Sequence, residues 1–263
     1  METHQTPTYP STFDGLLSLV ARLRGEDGCP WDREQTRDSM KRYVLEECYE
    51  LLDAMDEGDA AMLADELGDV LFHVAFQVQL GVEEGTLTDE QVFRAAIQKL
   101  IRRHPHVFGD TSAADARDVE SSWHAIKRAE RAGSGASALD GVSRRMPALA
   151  YAQAIQDRAA RTGFDWQDVT GVLSKVGEEL EELQQAESQA RREAELGDVL
   201  FSVVNLSRWF GVDAETALRK ADARFRDRFV WMEQISQRRD LSFDGLTPAE
   251  KDALWDEAKR EVG

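Results

Sequence analysis

The sequence of 263 residues contains little cysteine, histidine and proline, with two, five and six residues of these types. The two cysteines, Cys29 and Cys48, do not have CxxC spacing, which argues against a disulfide framework or a zinc knuckle. No apolar run approaches ~18 residues, so no membrane-spanning helix is expected. The first residues lack the basic and apolar regions of a signal peptide, and we therefore predict a cytoplasmic protein without a membrane partner.

Several motifs of phosphate-processing enzymes are also missing. No glycine-rich loop ends in Lys-Ser or Lys-Thr, which argues against a P-loop nucleotide switch. No His-Asp dipeptide occurs, which counts against the metal phosphohydrolases that use one. No stretch alternates apolar and polar residues with β-branched side chains, so no sheet is expected. The sequence therefore predicts an all-α fold.

Positive charge is scarce, with 32 Lys and Arg against 50 Asp and Glu and a net charge of −18. A surface of this sign disfavours binding to nucleic-acid polymers and to anionic membranes. A small phosphate-bearing substrate is still compatible, provided that a divalent cation and a local basic cluster reverse the sign. Hydrophobic residues make up 42% of the chain, which is enough to build buried cores.

Two pairs of acids stand out in the first half of the chain. Glu47 and Glu50 are three residues apart, as are Glu66 and Asp69, so each pair lies on one face of a helix. Asp56–Asp59 between them predicts a reversal, because its glycine ends one helix and its last aspartate caps the next. An antiparallel hairpin folded there brings four carboxylates into one small volume. On their own, these residues are equally well explained as surface acids of amphipathic helices.

Carboxylates packed so closely take up protons unless a cation lies among them. Oxygen ligands without Cys or His favour Mg²⁺, with Mn²⁺ as the alternative. A di-iron bundle would need Glu-x-x-His, which is absent. His73 could join an iron site, but the second half has Ser202 at the matching position, which favours a packed histidine. The apolar residues of the hairpin are expected to be buried: Leu45, Cys48, Leu52, Leu67, Val70, Leu71 and Val74.

The acidic pattern occurs twice. Glu195–Phe201 repeats the ELGDVLF of Glu66–Phe72 at every position, and Glu179 and Glu182 precede it. Framing motifs also repeat: 132 residues separate Glu47 from Glu179, and the same number separates Trp123 from Trp255. The sequence therefore predicts a tandem repeat of one four-helix-type all-α module. We assign residues 1–131 to the first module, 132–139 to a linker of small residues, and 140–263 to the second.

Apolar periodicity and capping residues predict where the helices lie. The expected helices cover 13–24, a long segment carrying Glu47, and then 60–84, 89–103, 114–131 and 147–161. Gly25–Trp31 is expected to be a loop, and Asp32 or Thr36 is expected to cap the long helix. His104 and His106 flank a proline that ends a helix, and we interpret them as structural.

Basic residues cluster downstream of the second acidic pair. Arg224 and Arg228 are four apart on one predicted helix face, where they either pair with neighbouring aspartates or bind phosphate. Trp255 and Lys259, also four apart, either hold a base and a phosphate or belong to the core and its surface. Their residue types alone leave both alternatives open.

Read together, the motifs GCPWDREQT, EECYE, ELGDVLF, RRHPHVF, WHAIK, GFDW, EELEEL and the second ELGDVLF resemble the MazG family of nucleoside triphosphate pyrophosphohydrolases. The resemblance covers nearly the whole chain. It implies an all-α NTP pyrophosphatase fold, a homodimer, and Mg²⁺-dependent cleavage of NTPs or dNTPs into NMP and diphosphate. It also implies a catalytic C-terminal module with metal ligands Glu179, Glu182, Glu195 and Asp198, and nucleotide contacts Lys127, Arg224, Arg228, Trp255 and Lys259. Position 224 is often Lys in the family.

Three differences between the copies favour the second module as the catalytic one. Lys175 stands where the first copy has Tyr43, Asn205 where it has Phe76, and Arg228 where it has Val107. Each suits a polyanionic substrate, so Lys175 and Asn205 join the predicted substrate contacts. The first module, with Glu47, Glu50, Glu66 and Asp69 as metal ligands, is predicted to be structural or weakly active.

Two further expectations concern assembly and class. In a single module, Leu196, Val199, Val203 and Leu206 would contact water unless another copy or the first module covers them, which favours a homodimer. The alternative function is a noncatalytic helical protein that binds a nucleotide or a protein and uses metal only for structure. The weaker basic set of the first copy is the feature that favours this alternative.

Overall fold

The computed structural model describes residues 8–130 and 137–262, and over these ranges the chain forms helices and no strand. The predicted all-α class is confirmed. The chain divides into two compact units, Met1–Lys127 and Arg128–Gly263. Residues 132–136 of the predicted linker, and the last residue of the helix predicted over 114–131, lie outside the described residues. The assignment of functions to the two modules stays a prediction.

Unit 1 is built around an antiparallel hairpin of two long helices. Its helices are α1 (Phe13–Arg24), α2 (Pro30–Glu34), α3 (Lys41–Glu57), α4 (Ala60–Glu83), α5 (Asp89–Arg103), α6 (Pro105–Phe108) and α7 (Ala116–Ala129). Gly58 ends α3 in a left-handed conformation, φ 73°, and the Asp59 carboxylate accepts a hydrogen bond from the Ala61 N–H at 2.7 Å. The predicted reversal is confirmed. Helix α1 packs on α4 around a core that contains Val20 and Phe76.

The segment before α3 differs from the prediction. Pro30 starts the short helix α2 inside the expected loop, because its fixed φ suits a first helical position. Neither Asp32 nor Thr36 caps the long helix, which begins at Lys41 without a side-chain cap. Asp32 is instead buried in α2, and the Thr36 hydroxyl accepts from the Ser39 N–H in the turn that precedes α3.

Unit 2 repeats this arrangement with longer final helices. They are α8 (Ala148–Ala160), α9 (Val169–Gln185), α10 (Gln189–Trp209), α11 (Ala214–Arg238) and α12 (Pro248–Glu261), with a 3-10 turn at Phe243–Gly245. Helices α9 and α10 form the hairpin, and Ser188 caps α10 where the reversal is expected. Helix α8 packs on α10, and α11 packs on α8 and α12.

The hairpin of unit 1 does not bury the apolar residues expected to form its core. Helix α1 covers a different stripe of α4, which buries Ala75, Phe76 and Leu80. The opposite stripe is exposed in unit 1, so the expectation was wrong for Leu45, Leu52, Leu67, Leu71 and Val74, all at least 42% exposed. In unit 2, Leu196 and Val203 are exposed as expected, whereas Val199 is buried.

None of the helices within residues 8–130 and 137–262 has both the length and the apolar character needed to cross a bilayer.

Candidate metal centres and nucleotide site

The hairpin of unit 2 gathers three of the predicted carboxylates. Glu179 and Glu182 lie one turn apart on α9, and Glu195 faces them from α10. One oxygen from each lies within 4.8 Å of the other two. Glu179 and Glu195 are only 7% and 8% exposed, so two of the three carboxylates are buried. Asp198, one turn further along α10, does not come within that distance of all three.

The hairpin of unit 1 gathers a related but different set. Glu47 on α3 and Glu66 and Asp69 on α4 bring their oxygens within 4.8 Å of one another. Glu50 does not belong to this cluster. Each unit therefore assembles three of its four predicted ligands, and the acid left outside comes from α3 in unit 1 and from α10 in unit 2.

Both clusters show the electrostatic cost of grouped acids. Burial and the charges of Asp69 and Glu50 raise the pKa of Glu47, and burial with the charge of Glu50 raises that of Glu66. The charge of Glu195, followed by burial, raises the pKa of Glu182. Among the described residues, no donor reaches the buried Glu66 Oε2. Uncompensated carboxylate oxygens of this kind suit a divalent cation.

Basic side chains flank the acids of unit 2. Lys175 Nζ lies 2.8 Å from Glu179 Oε1 and 2.9 Å from Glu178 Oε1, and these two hydrogen bonds raise its pKa. On α10, Arg191 Nε lies 3.2 Å from Glu195 Oε1. The sequence reasoning missed Arg191, although its position one turn before Glu195 placed it on the same helix face.

Unit 1 replaces these cations with an aromatic and apolar environment. Tyr43 takes the place of Lys175, and Met62 takes the place of Arg191. His73 lies beside the cluster, with its Nε2 3.7 Å from Glu47 Oε1, and the Arg42 guanidinium lies over the Tyr43 ring. His73 is buried and its ring stacks on Tyr43 with 6.5 Å between centroids. Burial lowers the pKa of His73, with an opposing contribution from Asp69.

Asn205, predicted to contact substrate, takes part in a different interaction. Its Oδ1 accepts hydrogen bonds from Arg208 Nε and Nη2 at 3.2 and 2.9 Å. Arg208 also forms an ion pair with Asp165 in the segment before α9. Asn205 therefore helps to fix α10 against that segment, and a contact with substrate stays a prediction.

Known proteins resemble this chain over nearly its whole length. A family model described as the MazG nucleotide pyrophosphohydrolase domain matches residues 35–108. The Thermotoga maritima protein named nucleoside triphosphate pyrophosphohydrolase/pyrophosphatase MazG is 44% identical over 247 residues, 94% of this chain and 95% of its own length. The nucleoside triphosphate pyrophosphohydrolase of Escherichia coli K12 is 44% identical over 256 residues, 95% and 97% of the two chains.

The chain belongs to the MazG family. The predicted family is therefore confirmed, and so is the prediction that the protein is an enzyme. A third relative, the uncharacterized protein YabN of Bacillus subtilis, is 42% identical over 251 residues, which are 94% of this chain and 51% of YabN.

The nucleotide contacts implied by the MazG resemblance lie mainly on α11 and α12. The Arg228 guanidinium carbon is 5.8 Å from the centroid of the Trp255 ring, and Arg224 is exposed one turn earlier. Trp255 is half-buried against the cluster of Met232, Leu254 and Ala258, so it contributes to the core. Lys259 forms an ion pair with Asp256 at 3.0 Å.

Lys127 is the remaining predicted contact. It lies on α7 and is the last residue of unit 1, whereas the other nucleotide contacts lie in unit 2. Its contribution to the site of unit 2 stays a prediction.

Proposed function

We propose that unit 2 of this MazG-family enzyme hydrolyses nucleoside and deoxynucleoside triphosphates between the α- and β-phosphates, releasing NMP and diphosphate. The observation that carries the proposal is the cluster of Glu179, Glu182 and Glu195, flanked on α9 by Lys175 and on α10 by Arg191. Grouped carboxylates alone would repel a triphosphate. Together with a divalent cation and flanking basic side chains, they form a site that attracts one.

The metal ligands in this proposal are Glu179, Glu182, Glu195 and Asp198. An all-oxygen set fits Mg²⁺, with Mn²⁺ as the alternative. The raised pKa of Glu182 supports the assignment, because a cation between these acids would remove the repulsion that favours its protonated form. Asp198, outside the three-oxygen cluster, would complete the set from the next turn of α10.

Hydrolysis requires that water attack the α-phosphorus while the bond from that phosphorus to the bridging oxygen breaks. Mg²⁺ held by these four acids would neutralise charge and polarise the phosphate. The carboxylates of the cluster orient the water and accept its proton. Lys175 and Arg191 each contact a carboxylate of the cluster, which supports a role for them in stabilising the negative charge of the diphosphate leaving group.

The substrate contacts proposed beyond this cluster recognise phosphates and a base face. Arg224, Arg228 and Lys259 provide cations on α11 and α12, and Lys127 and Asn205 are further proposed contacts. We propose that these side chains contact phosphates and a base face, not a base edge, and therefore that specificity among NTPs and dNTPs is broad. We also propose a cytoplasmic location, where these substrates are found.

Unit 1 is proposed to bind a cation and to contribute little turnover. Its cluster of Glu47, Glu66 and Asp69 is present. Tyr43 and Met62, however, provide no positive charge where unit 2 has Lys175 and Arg191. A triphosphate of about −4 charge would therefore bind poorly there.

A homodimer is proposed from the exposed apolar stripes of the two hairpins. Single exposed apolar residues are normal, but a row of them along one helix face indicates an interface. The stripe contains Leu45, Leu67 and Leu71 in unit 1 and Leu196 and Leu200 in unit 2, all between 42% and 52% exposed. Light scattering at micromolar concentration tests this proposal, and a mass near 30 kDa would contradict it.

The decisive experiment for the reaction is product analysis. The enzyme is incubated with each common NTP and dNTP and Mg²⁺, and the nucleotide and phosphate products are resolved by ion-exchange chromatography. We expect NMP and diphosphate in equal amounts, and a chelator should stop their formation. Release of NDP and orthophosphate would refute the bond assignment. Nucleotide binding without turnover of any substrate would favour the noncatalytic alternative.

A further inference from the structure

We propose that Phe225 on α11 is the surface on which the nucleobase stacks, with Trp255 supporting it from behind; this inference rests on the proposed function. Phe225 is 59% exposed, although it lies in a helix that packs against α8, α10 and α12. A phenylalanine this exposed leaves a large apolar surface in contact with water. Its position beside the proposed phosphate-binding arginines indicates what could cover that surface.

The Phe225 ring is held by aromatic contacts on its protein side. Its centroid lies 5.3 Å from that of Trp255, and 6.1 Å from that of Phe229, whose ring is within 19° of parallel. Phe229 is in turn packed edge-on against Phe243 at 5.4 Å. These separations are typical of favourable aromatic pairs. The ring is therefore fixed in place while much of it stays accessible.

Trp255 itself has less surface to offer a base. It packs against the buried cluster of unit 2, and the Arg228 guanidinium lies 5.8 Å from its ring centroid. The sequence left two roles open for Trp255, base stacking or core packing. We assign these two roles to two different residues. Trp255 packs in the core and positions Phe225, and Phe225 presents the open face.

The charges around Phe225 favour a nucleotide over a second protein surface. Arg224 precedes it, and Arg228 lies three residues later on the same helix face. Two guanidinium groups beside an exposed ring match the chemistry of a nucleotide, with anionic phosphates and a flat base. An apolar contact with a second copy of the chain would use the ring but would not use the positive charge beside it.

Stacking has a predictable effect on selectivity. Every base has a π face, so an aromatic platform binds all bases, and larger bases cover more of it. We therefore expect a modest preference for purine over pyrimidine triphosphates, superimposed on the broad specificity proposed above. Removing the Phe225 ring should weaken this preference and leave phosphate recognition intact.

The test compares Phe225→Ala and Phe225→Trp with Phe210→Ala as the matched control. Phe210, 64% exposed at the end of α10, loses the same side chain away from the proposed site. Calorimetry measures binding of a nonhydrolysable ATP analogue and of inorganic tripolyphosphate, which has no base, both with Mg²⁺. For Phe225→Ala we expect a ~10-fold weaker Kd for the analogue and less than ~2-fold change for tripolyphosphate, since stacking is lost and phosphate contacts are kept. Phe225→Trp and Phe210→Ala should bind the analogue like the wild type.

Three results would overturn the inference. Equal weakening of both ligands would mean that Phe225 maintains α11 or the phosphate site. Unchanged analogue binding would mean that the base lies elsewhere. Weakened binding accompanied by a lower mass in light scattering would assign Phe225 to an interface between copies. Because these measurements do not require turnover, they stay informative even if product analysis refutes the proposed reaction.

Discussion

The two hairpins hold the same acids in different environments. Each brings three of its four acids within 4.8 Å across two antiparallel helices, but the acid left outside differs between the units. In unit 2 the first glutamate, Glu179, forms an ion pair with Lys175, and Glu195 is hydrogen-bonded to Arg191. In unit 1 the equivalent of Glu179, Glu47, faces a buried histidine at 3.7 Å. Acid spacing therefore predicts a metal centre, whereas we propose that the residue one turn away decides whether an anionic substrate is attracted.

The largest expected effect comes from removing one acid of the unit 2 cluster, and the matching substitution in unit 1 serves as its comparison. Glu179→Ala should reduce turnover by at least ~100-fold, because the metal loses a ligand and the remaining acids lose their geometry. Glu47→Ala should leave turnover within a few-fold of the wild type. Steady-state release of diphosphate measures both variants. Large loss in Glu47→Ala with a silent Glu179→Ala would reverse the assignment of the units, and equal losses would mean two working sites.

A second substitution replaces Arg191 of unit 2 with methionine, the residue at the matching position of unit 1. Arg191→Met should lower kcat/KM by ~10-fold, the scale of losing one charge-assisted contact to an anion. Its matched control, Met62→Arg, makes the reverse exchange in unit 1 and should leave kcat/KM within ~2-fold. If Arg191→Met is as active as the wild type, the contact with Glu195 is structural and does not serve the substrate.

A third substitution tests Lys175 in the same way. Lys175→Tyr should lower kcat/KM by ~5-fold, since the residue is partly exposed and water screens its charge. Raising the ionic strength should reduce the difference between variant and wild type. Tyr43→Lys, the reverse exchange, is the control. A loss confined to kcat with no salt dependence would indicate that Lys175 orients Glu179 instead of attracting the triphosphate.

The smallest expected effect is on stability without metal. Raised pKa values of Glu47 and Glu66 in unit 1 and of Glu182 in unit 2 mean that these three carboxyl groups bind protons more tightly in the folded protein than in the unfolded chain. Between the ordinary Glu pKa of 4.5 and these raised values, their contribution to stability should therefore fall as pH rises, whereas the lowered pKa of His73 contributes in the opposite direction.

Thermal unfolding in a chelator measures this slope. Glu66→Gln and Glu182→Gln should each make the slope more positive than that of the wild type, because each removes a carboxyl group whose contribution to stability falls with pH. Saturating Mg²⁺ should shift the wild-type slope in the same direction, since a cation favours the ionised acids. Variant slopes unchanged from that of the wild type would contradict the pKa directions on which this prediction depends.

Much of the fold could be predicted because the signals are local. Gly58 ends α3 because glycine favours a left-handed turn, and Thr88 starts α5 because it forms a capping box. The start of α3 could not be predicted in this way. Two plausible caps precede it, but Pro30 nucleates a separate short helix, and the buried Arg24 donates to the carbonyl of Asp32.

The site shows the same division. Acid spacing predicted which helices carry the ligands, but not which three of four carboxylates meet. Arg191 was missed because its position one turn before Glu195 was not considered, and Arg192 beside it shows that residue type alone does not single it out. The sequence left two roles open for Trp255, holding a base or packing in the core. Its contacts with the buried cluster and with Phe225 show that it packs in the core.

The sequence by itself determined that this protein is a doubled all-α module with an acidic helical hairpin in each half. Helical periodicity and the offset of repeated motifs depend only on residue order, so both can be read without coordinates. The tertiary structure decided which apolar stripe of each hairpin is buried, which carboxylates converge and which cations stand beside them. These depend on how one helix is rotated against another, and rotation is set by the packing of the whole unit.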